Sequence, residues 1–138
     1  MTQPTEPIEF SVAAQEITER FSAAPSLSGE VLAELQKICT TSVDAQSIAE
    51  HGRDWWPLAM HWALQGKTPR KAGAVCTPST TEQVAKVVAV CNANDLPLTV
   101  AGGRSGVCGS AVPLYGGIVL DVTSLQGIVS VDEVSGIV

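Results

Sequence analysis

The stretch Thr99-Val100-Ala101-Gly102-Gly103-Arg104-Ser105-Gly106-Val107-Cys108-Gly109-Ser110 constrains the fold more than any other part of the chain. It sets four glycines, two serines and one arginine between two apolar, strand-like runs. Glycine lets a backbone turn sharply and approach a ligand closely, and successive free N–H groups in such a turn make a concave seat for an anion. The rest of the sequence supplies little positive charge to help. Eight basic residues stand against 14 acidic ones, for a net charge of -6, and no basic stripe occurs. That balance argues against nucleic acid or an acidic membrane surface as the main partner. An anion held here is held by local geometry.

The loop sits in the second of two regions. Residues 1–8 are polar and proline-bearing and read as a flexible tail. Residues 9–69 read as helical throughout: a weakly amphipathic helix from Glu9 to Ala24, a second one capped by Ser28 with Val31, Leu32, Leu35 and Ile38 on one face, a third near Ser42–Glu50, and a fourth opened by Pro57 and closed by Gly66. Lys67–Ala72 reads as a polar linker. From Gly73 the pattern becomes strand, helix, strand. Ala74-Val75-Cys76 is a short strand. Ser79 and Glu82 have capping-box spacing ahead of a helical face of Val84, Val87, Val88 and Cys91. Leu98-Thr99-Val100 then delivers the glycine loop, Gly117–Asp121 is a third strand, and Ile128–Val131 a fourth. Ser135–Val138 reads as the start of a fifth, so the sequence reads as the N-terminal part of a longer protein.

At 138 residues and 45 % hydrophobic content the chain is long enough for one real core. Cys39, Cys76, Cys91 and Cys108 lack CxxC spacing and lie among apolar or glycine-rich neighbours, as reduced, mostly buried thiols do. His51 and His61 show no acidic ligand pattern around them, so no metal site is expected. There is no basic n-region with an apolar h-region and no run approaching the ~20 apolar residues of a membrane span. A cytoplasmic location is the expectation. For Trp55 and Trp62, seven apart, packing of the helical region is favoured over substrate contact. Arg53 and Asp54 read as a local ion pair or helix cap, His61 as a packed or surface histidine, and Cys108 as loop filling.

Three common phosphate motifs fail on residues. A Walker A loop ends in Gly-Lys-Ser/Thr, whereas Gly103-Arg104-Ser105 carries arginine. A Rossmann fingerprint runs straight into a helix, whereas Val112-Pro113 follows here. The kinase glycine loop needs a downstream Val-Ala-Ile-Lys, which is absent. The order of strand, capped helix, Leu-Pro-Leu-Thr-Val strand, glycine loop, Pro113, Gly-Gly-Ile-Val-Leu-Asp strand and Leu125-Gln126-Gly127-Ile128 instead resembles the PCMH-type FAD-binding domain of the vanillyl-alcohol oxidase family. Within that family Arg53-Asp54-Trp55-Trp56-Pro57 adds a likeness to alkyldihydroxyacetonephosphate synthase-like proteins and related FAD-linked oxidases.

The resemblance covers residues 70–138 and implies an α+β fold, in which this chain supplies N-terminal helices and the first part of the FAD-binding domain. It implies a pyrophosphate-binding loop at Val100, Ala101, Gly102, Gly103, Arg104, Ser105 and Gly106, with Gly109 and Ser110 completing the turn. Asp121, Val122, Thr123 and Ser124 match the family's Leu-Asp-hydroxyl segment beside the cofactor. Some relatives attach FAD covalently through a histidine in this loop; here Arg104 stands near that place and no histidine follows His61, which implies non-covalent FAD. The function implied is an FAD-dependent oxidoreductase acting on a small-molecule substrate, with catalytic residues beyond Val138 and a homodimer as one expectation for the full-length protein. Redox-neutral ether-lipid synthesis and a non-catalytic nucleotide-binding fragment are the alternatives. The loop departs from the Gly-Gly-Gly-Thr-Ser of the ether-lipid synthases, which bears on the first of these.

Overall fold

The computed structural model describes residues 11–17 and 25–138. The sequence from Ser28 onward folds largely as its caps dictate. Ser28 accepts a hydrogen bond from the Val31 amide and opens α1 (Gly29–Ile38), whose buried face is centred on Leu35. Asp44 does the same for α2 (Ala45–Glu50) by accepting from the Ser47 amide. Pro57 occupies the first turn of α3 (Pro57–Leu64), and Gly66, at φ +66°, turns the chain out of it. The cap of α4 (Thr81–Ala93) is Thr80 rather than Ser79. Thr80 Oγ1 accepts from the Gln83 amide, and Gln83 Oε1 accepts in return from the Ser79 amide and hydroxyl. The cap is therefore shifted by one residue, and the reciprocal bond of the expected capping box goes to Ser79, just ahead of the cap, rather than to the cap itself. Its buried face shifts too: Val87, Val90 and Cys91 point inward, while Val88 is exposed.

A four-stranded sheet carries these helices. Its order is β2 (Thr40–Ser42), β4 (Ala74–Thr77), β6 (Ile118–Asp121), β5 (Leu98–Ala101), with β2 antiparallel and the other three parallel. Strand alternation divides the core cleanly. Ala74, Cys76, Ile118 and Leu120 face α1 and α4, where Leu35, Val87 and Cys91 complete one cluster. Val75, Val119 and Ala101 face the other way, with Ala72, Ala111 and the α2 residue Ile48. Apolar side chains on both faces suit parallel strands covered on two sides. Glycine 117, at φ +68°, lets β6 begin tight against Pro97. The expected α+β class holds.

The N-terminal region is not purely helical. A two-stranded parallel ladder joins β1 (Gln15–Glu16) to β3 (Lys67–Thr68), so the expected helix over Glu9–Ala24 is interrupted at Gln15–Glu16; its remaining residues outside 11–17, like the tail at 1–8, lie outside the described residues. β3 also replaces the expected linker: Thr68, Pro69, Arg70 and Ala72 are buried, and Glu16 accepts from the Lys71 amide at 2.8 Å. The third helix starts at Ala45 because Thr40–Ser42 is drawn into the ladder with Val75–Thr77. Past β6, the expected strands at Ile128–Val131 and Ser135–Val138 do not form. One isolated bridge, Asp132 to Ile137, closes a turn there, and Val129 is 101 % exposed. An apolar run without a neighbouring strand or layer has nothing to bury it. Asp132 organises that turn, and the Ser135 hydroxyl and the Ser135 and Val134 amides hold its carboxyl below the usual range.

Cys39, Cys76 and Cys91 are buried free thiols, whereas Cys108 is exposed. Burial pushes the Cys76 thiol up to about 12, partly opposed by the Thr41 hydroxyl, and burial also raises that of Cys91. The thiols of Cys76 and Cys91 stay protonated and act as small apolar core groups. Among the described residues no helix is long and apolar enough to cross a membrane and no cluster of ligands fit for a metal ion occurs.

Candidate cofactor-binding site

The parallel arrangement puts the C-terminal ends of β4, β5 and β6 on one edge of the sheet, which is where ligands of open parallel sheets bind. The glycine loop leaves β5 at that edge. Asp121 ends the adjacent β6, paired in register with Ala101. The candidate residues divide by position. Ala101 is buried in the core, its carbonyl accepting from the Val122 amide. Val100, Gly103, Ser105, Gly106 and Ser110 are exposed, Gly102 and Arg104 are half-buried, and Gly109 is buried. Among the described residues, the eight backbone amides from Gly103 to Ser110 donate to no backbone carbonyl. Two residues in this run are left-handed, Arg104 at φ +52° and Gly109 at φ +81°. No carboxylate side chain occurs anywhere in Thr99–Ser110. A row of unpaired donors at a strand end, free of acidic side chains, fits an anion such as a diphosphate.

The Arg104 guanidinium is not turned free into the loop. Its Nη1 donates to the Glu50 carbonyl at 2.7 Å, tying the loop to the last turn of α2, where a cation also favours the carbonyl end of the helix. A guanidinium has five N–H donors, so others remain for a ligand. His51, the C-cap residue just past α2, makes a second tie. Its Nε2 lies 3.0 Å from Asp121 Oδ2 and its Nδ1 2.8 Å from the Ser47 carbonyl. Burial alone pushes the Asp121 carboxyl up, but the Thr123 hydroxyl and amide and the His51 ring outweigh it and hold the group below its ordinary value of 3.8.

Asp121 therefore stabilises the fold as a carboxylate. Its folded pKa lies below the unfolded one, so its contribution is complete above the unfolded value and disappears as pH falls through the folded one. Asp121→Asn is expected to be about 1–3 kcal/mol less stable than the wild type at pH 5. Urea unfolding at stepped pH checks this: the gap shrinks as pH falls from about 5 to about 2.5, and a gap unchanged over that window rules out the ionised carboxylate as its source.

The floor of the loop comes from residues just before α3. The Trp55 amide donates to the Gly106 carbonyl at 2.9 Å. Gly109 lies directly on the Trp56 indole, so close that an added Cβ would stand 2.7 Å from Cε3. Trp56 in turn meets Trp62 edge-on, with centroids 5.6 Å apart. The packing partner is thus Trp56, not the expected Trp55, which is 55 % exposed. The helical phase does not reach Trp55 because α3 begins only at Pro57. Asp54 is fully buried, and its Oδ1 accepts from the Trp56 amide at 2.9 Å. This turn precedes α3, whose N-cap Trp56 makes no side-chain cap. His61 is exposed and lies beside Gln65. His51, Asp54 and Trp56 were not singled out as site residues. The 70 residues separating His51 from Asp121 leave no local spacing to read.

Residues 72–138 match the model of a family described as FAD binding domain. This segment, which carries the glycine loop, is similar to that domain. Part of the chain is also similar to curated proteins. A D-lactate dehydrogenase of Anaerostipes hadrus is 38 % identical over 71 residues, covering 51 % of this chain and 14 % of that protein. A probable mitochondrial D-2-hydroxyglutarate dehydrogenase of Oryza sativa subsp. indica is 30 % identical over 78 residues, 56 % of this chain and 14 % of that protein. The chain thus spans a small part of the length of the relatives it matches. Among solved structures, an alkyldihydroxyacetonephosphate synthase superposes over 87 % of this chain and 23 % of its own, with a TM-score of 0.68 at 17 % identity. At that identity the likeness shows the fold alone, and it extends ahead of the FAD-binding segment.

Proposed function

We propose that Val100–Gly106, completed by Gly109 and Ser110, holds the pyrophosphate of a non-covalently bound FAD. The observation that carries this reading is the run of eight unpaired amides at the C-terminal end of β5, inside the FAD-binding segment. The amides from Gly103 to Ser105 supply hydrogen bonds to the pyrophosphate, Gly106, Gly109 and Ser110 complete the turn, and the Ser105 and Ser110 hydroxyls add donors. Arg104, anchored at Glu50, contributes charge beside them. Ala101 takes no direct part through its side chain but fixes where the loop leaves the sheet. Non-covalent attachment through this loop is supported by the absence of any histidine from Val100–Ser110.

The reaction served is oxidation of a D-2-hydroxy acid, on the strength of the D-lactate and D-2-hydroxyglutarate dehydrogenases among the relatives. Bound FAD supplies a two-electron acceptor, and the part of this chain is to bind and orient it. Ether-lipid synthesis has only the fold likeness in its favour.

Gly103 offers the cleanest test. An added Cβ there meets nothing within 4 Å, so Gly103→Val leaves unfolding unchanged to within about 0.5 kcal/mol. The valine nevertheless fills the space through which a phosphate approaches the amides, and FAD affinity is expected to fall at least tenfold. Flavin fluorescence titration reads the affinity, and acid precipitation of the complex leaves the flavin in the supernatant. Equal affinity in the variant places the cofactor elsewhere, and flavin pelleting with the protein overturns non-covalent binding. D-lactate and D-2-hydroxyglutarate are expected to bleach bound flavin in the absence of an oxidant, and their L-enantiomers are not.

A further inference from the structure

Asp54 carries an unusual burden for a residue outside the FAD-binding segment. It is 0 % exposed, Oδ1 is satisfied by the Trp56 amide, and Oδ2 has no hydrogen-bond partner among the described residues. A buried carboxylate oxygen left unpaired is costly and calls for an explanation. The orphan oxygen faces the underside of the glycine loop: a Cβ built on Gly106 would lie 3.7 Å from it and 3.6 Å from Ser110 Oγ. Gly106 belongs to the run of eight residues whose amides lack backbone acceptors among the described residues. An acceptor without donors therefore lies beside a run of donors without backbone acceptors, and the Trp55–Gly106 hydrogen bond already joins the two strands of chain.

We infer that Asp54 is a positioning residue for the loop: when the loop closes on its anion, Asp54 Oδ2 accepts a hydrogen bond from the Gly106–Ser110 arc. The inference rests on the proposed binding of FAD pyrophosphate by this loop. In the closed form the amides from Gly103 to Ser105 turn up toward phosphate oxygens. The second half of the arc settles onto Asp54, so one carboxylate, supplied from outside residues 72–138, locks the seat from below. Charge-assisted hydrogen bonds are the strong ones, and a clasp of this kind slows the release of the ligand more than it changes its capture.

Asp54→Asn tests this, because the amide oxygen can still accept from Trp56 while the second acceptor is lost. The expected result is an FAD dissociation constant raised about tenfold, mostly through a faster off-rate. Hydrogen exchange on the full wild-type chain gives a readout independent of how the variant folds. Adding FAD is expected to slow exchange at both Gly103–Ser105 and Gly106–Ser110, and in Asp54→Asn only at the first set. Protection confined to Gly103–Ser105 in the wild type overturns the inference and leaves the FAD reading intact. So does an unchanged off-rate in a folded Asp54→Asn. A wild type that takes up no FAD overturns the FAD reading and the inference with it.

Discussion

Gly117→Ala is expected to destabilise the protein by about 4 kcal/mol or more, a large share of the stability of an ordinary domain. Two costs add at this position. The backbone is left-handed, at φ +68°, which charges an L-residue about 1 kcal/mol. The added Cβ would also stand 2.0 Å from the Pro97 carbonyl oxygen and 2.8 Å from its carbon. That oxygen accepts the Ile118 amide at 2.8 Å, the hydrogen bond from which the β5–β6 ladder continues. Relief can come only by prising apart the two strands that deliver the loop and Asp121. Gly66→Ala separates the two costs, since Gly66 has nearly the same φ, +66°, with nothing within 4 Å of an added Cβ. It is expected to lose only about 1 kcal/mol. Parallel urea titrations check the pair, and equal midpoints for the two variants refute the clash.

What the sequence revealed follows the range of each signal. The glycine loop, the Ser28 cap, the Pro57 start and the β4–α4–β5 succession are written in residues a few positions apart, and each is present. The strands of the N-terminal region escape such reading. Thr40–Ser42 is three residues of polar alternation whose strand character comes from Val75–Thr77, some 35 positions away. Gln15–Glu16 and Lys67–Thr68 are too short for any period and exist because they pair with each other. The opposite holds at Ile128–Val131, where the apolar run is genuine but no neighbouring strand receives it. The site divides in the same way. Its donors are legible as glycines and serines in a row. Its supports are not: Arg53 and Asp54 read as a local ion pair or helix cap, yet Asp54 is fully buried under the loop. Which of two adjacent tryptophans packs depends on the single residue at which α3 begins.

That tryptophan makes Gly109→Ala the most damaging single change expected in the loop itself. Gly109 is left-handed, at φ +81°, and its Cβ would overlap the Trp56 ring, 2.7 Å from Cε3 and 3.0 Å from Cδ2. The ring is poorly placed to yield, being held edge-on by Trp62 at 5.6 Å. The loop is the softer partner, since few of its hydrogen bonds are to the rest of the fold. The strain therefore expresses itself as a displaced loop more than as global unfolding. A cost of about 3 kcal/mol levied on the loop corresponds to about a hundredfold loss in FAD affinity, with a much smaller change in melting temperature. Trp56→Ala removes the obstacle at the price of the floor, so the two changes are expected to be non-additive. The double variant loses less affinity than the sum of the singles by about 1 kcal/mol or more. Flavin titrations on the four proteins of this cycle measure the coupling directly. Strict additivity means that Gly109 does not rest on Trp56 in the FAD-bound protein, and that the floor beneath the loop is rebuilt when the cofactor binds.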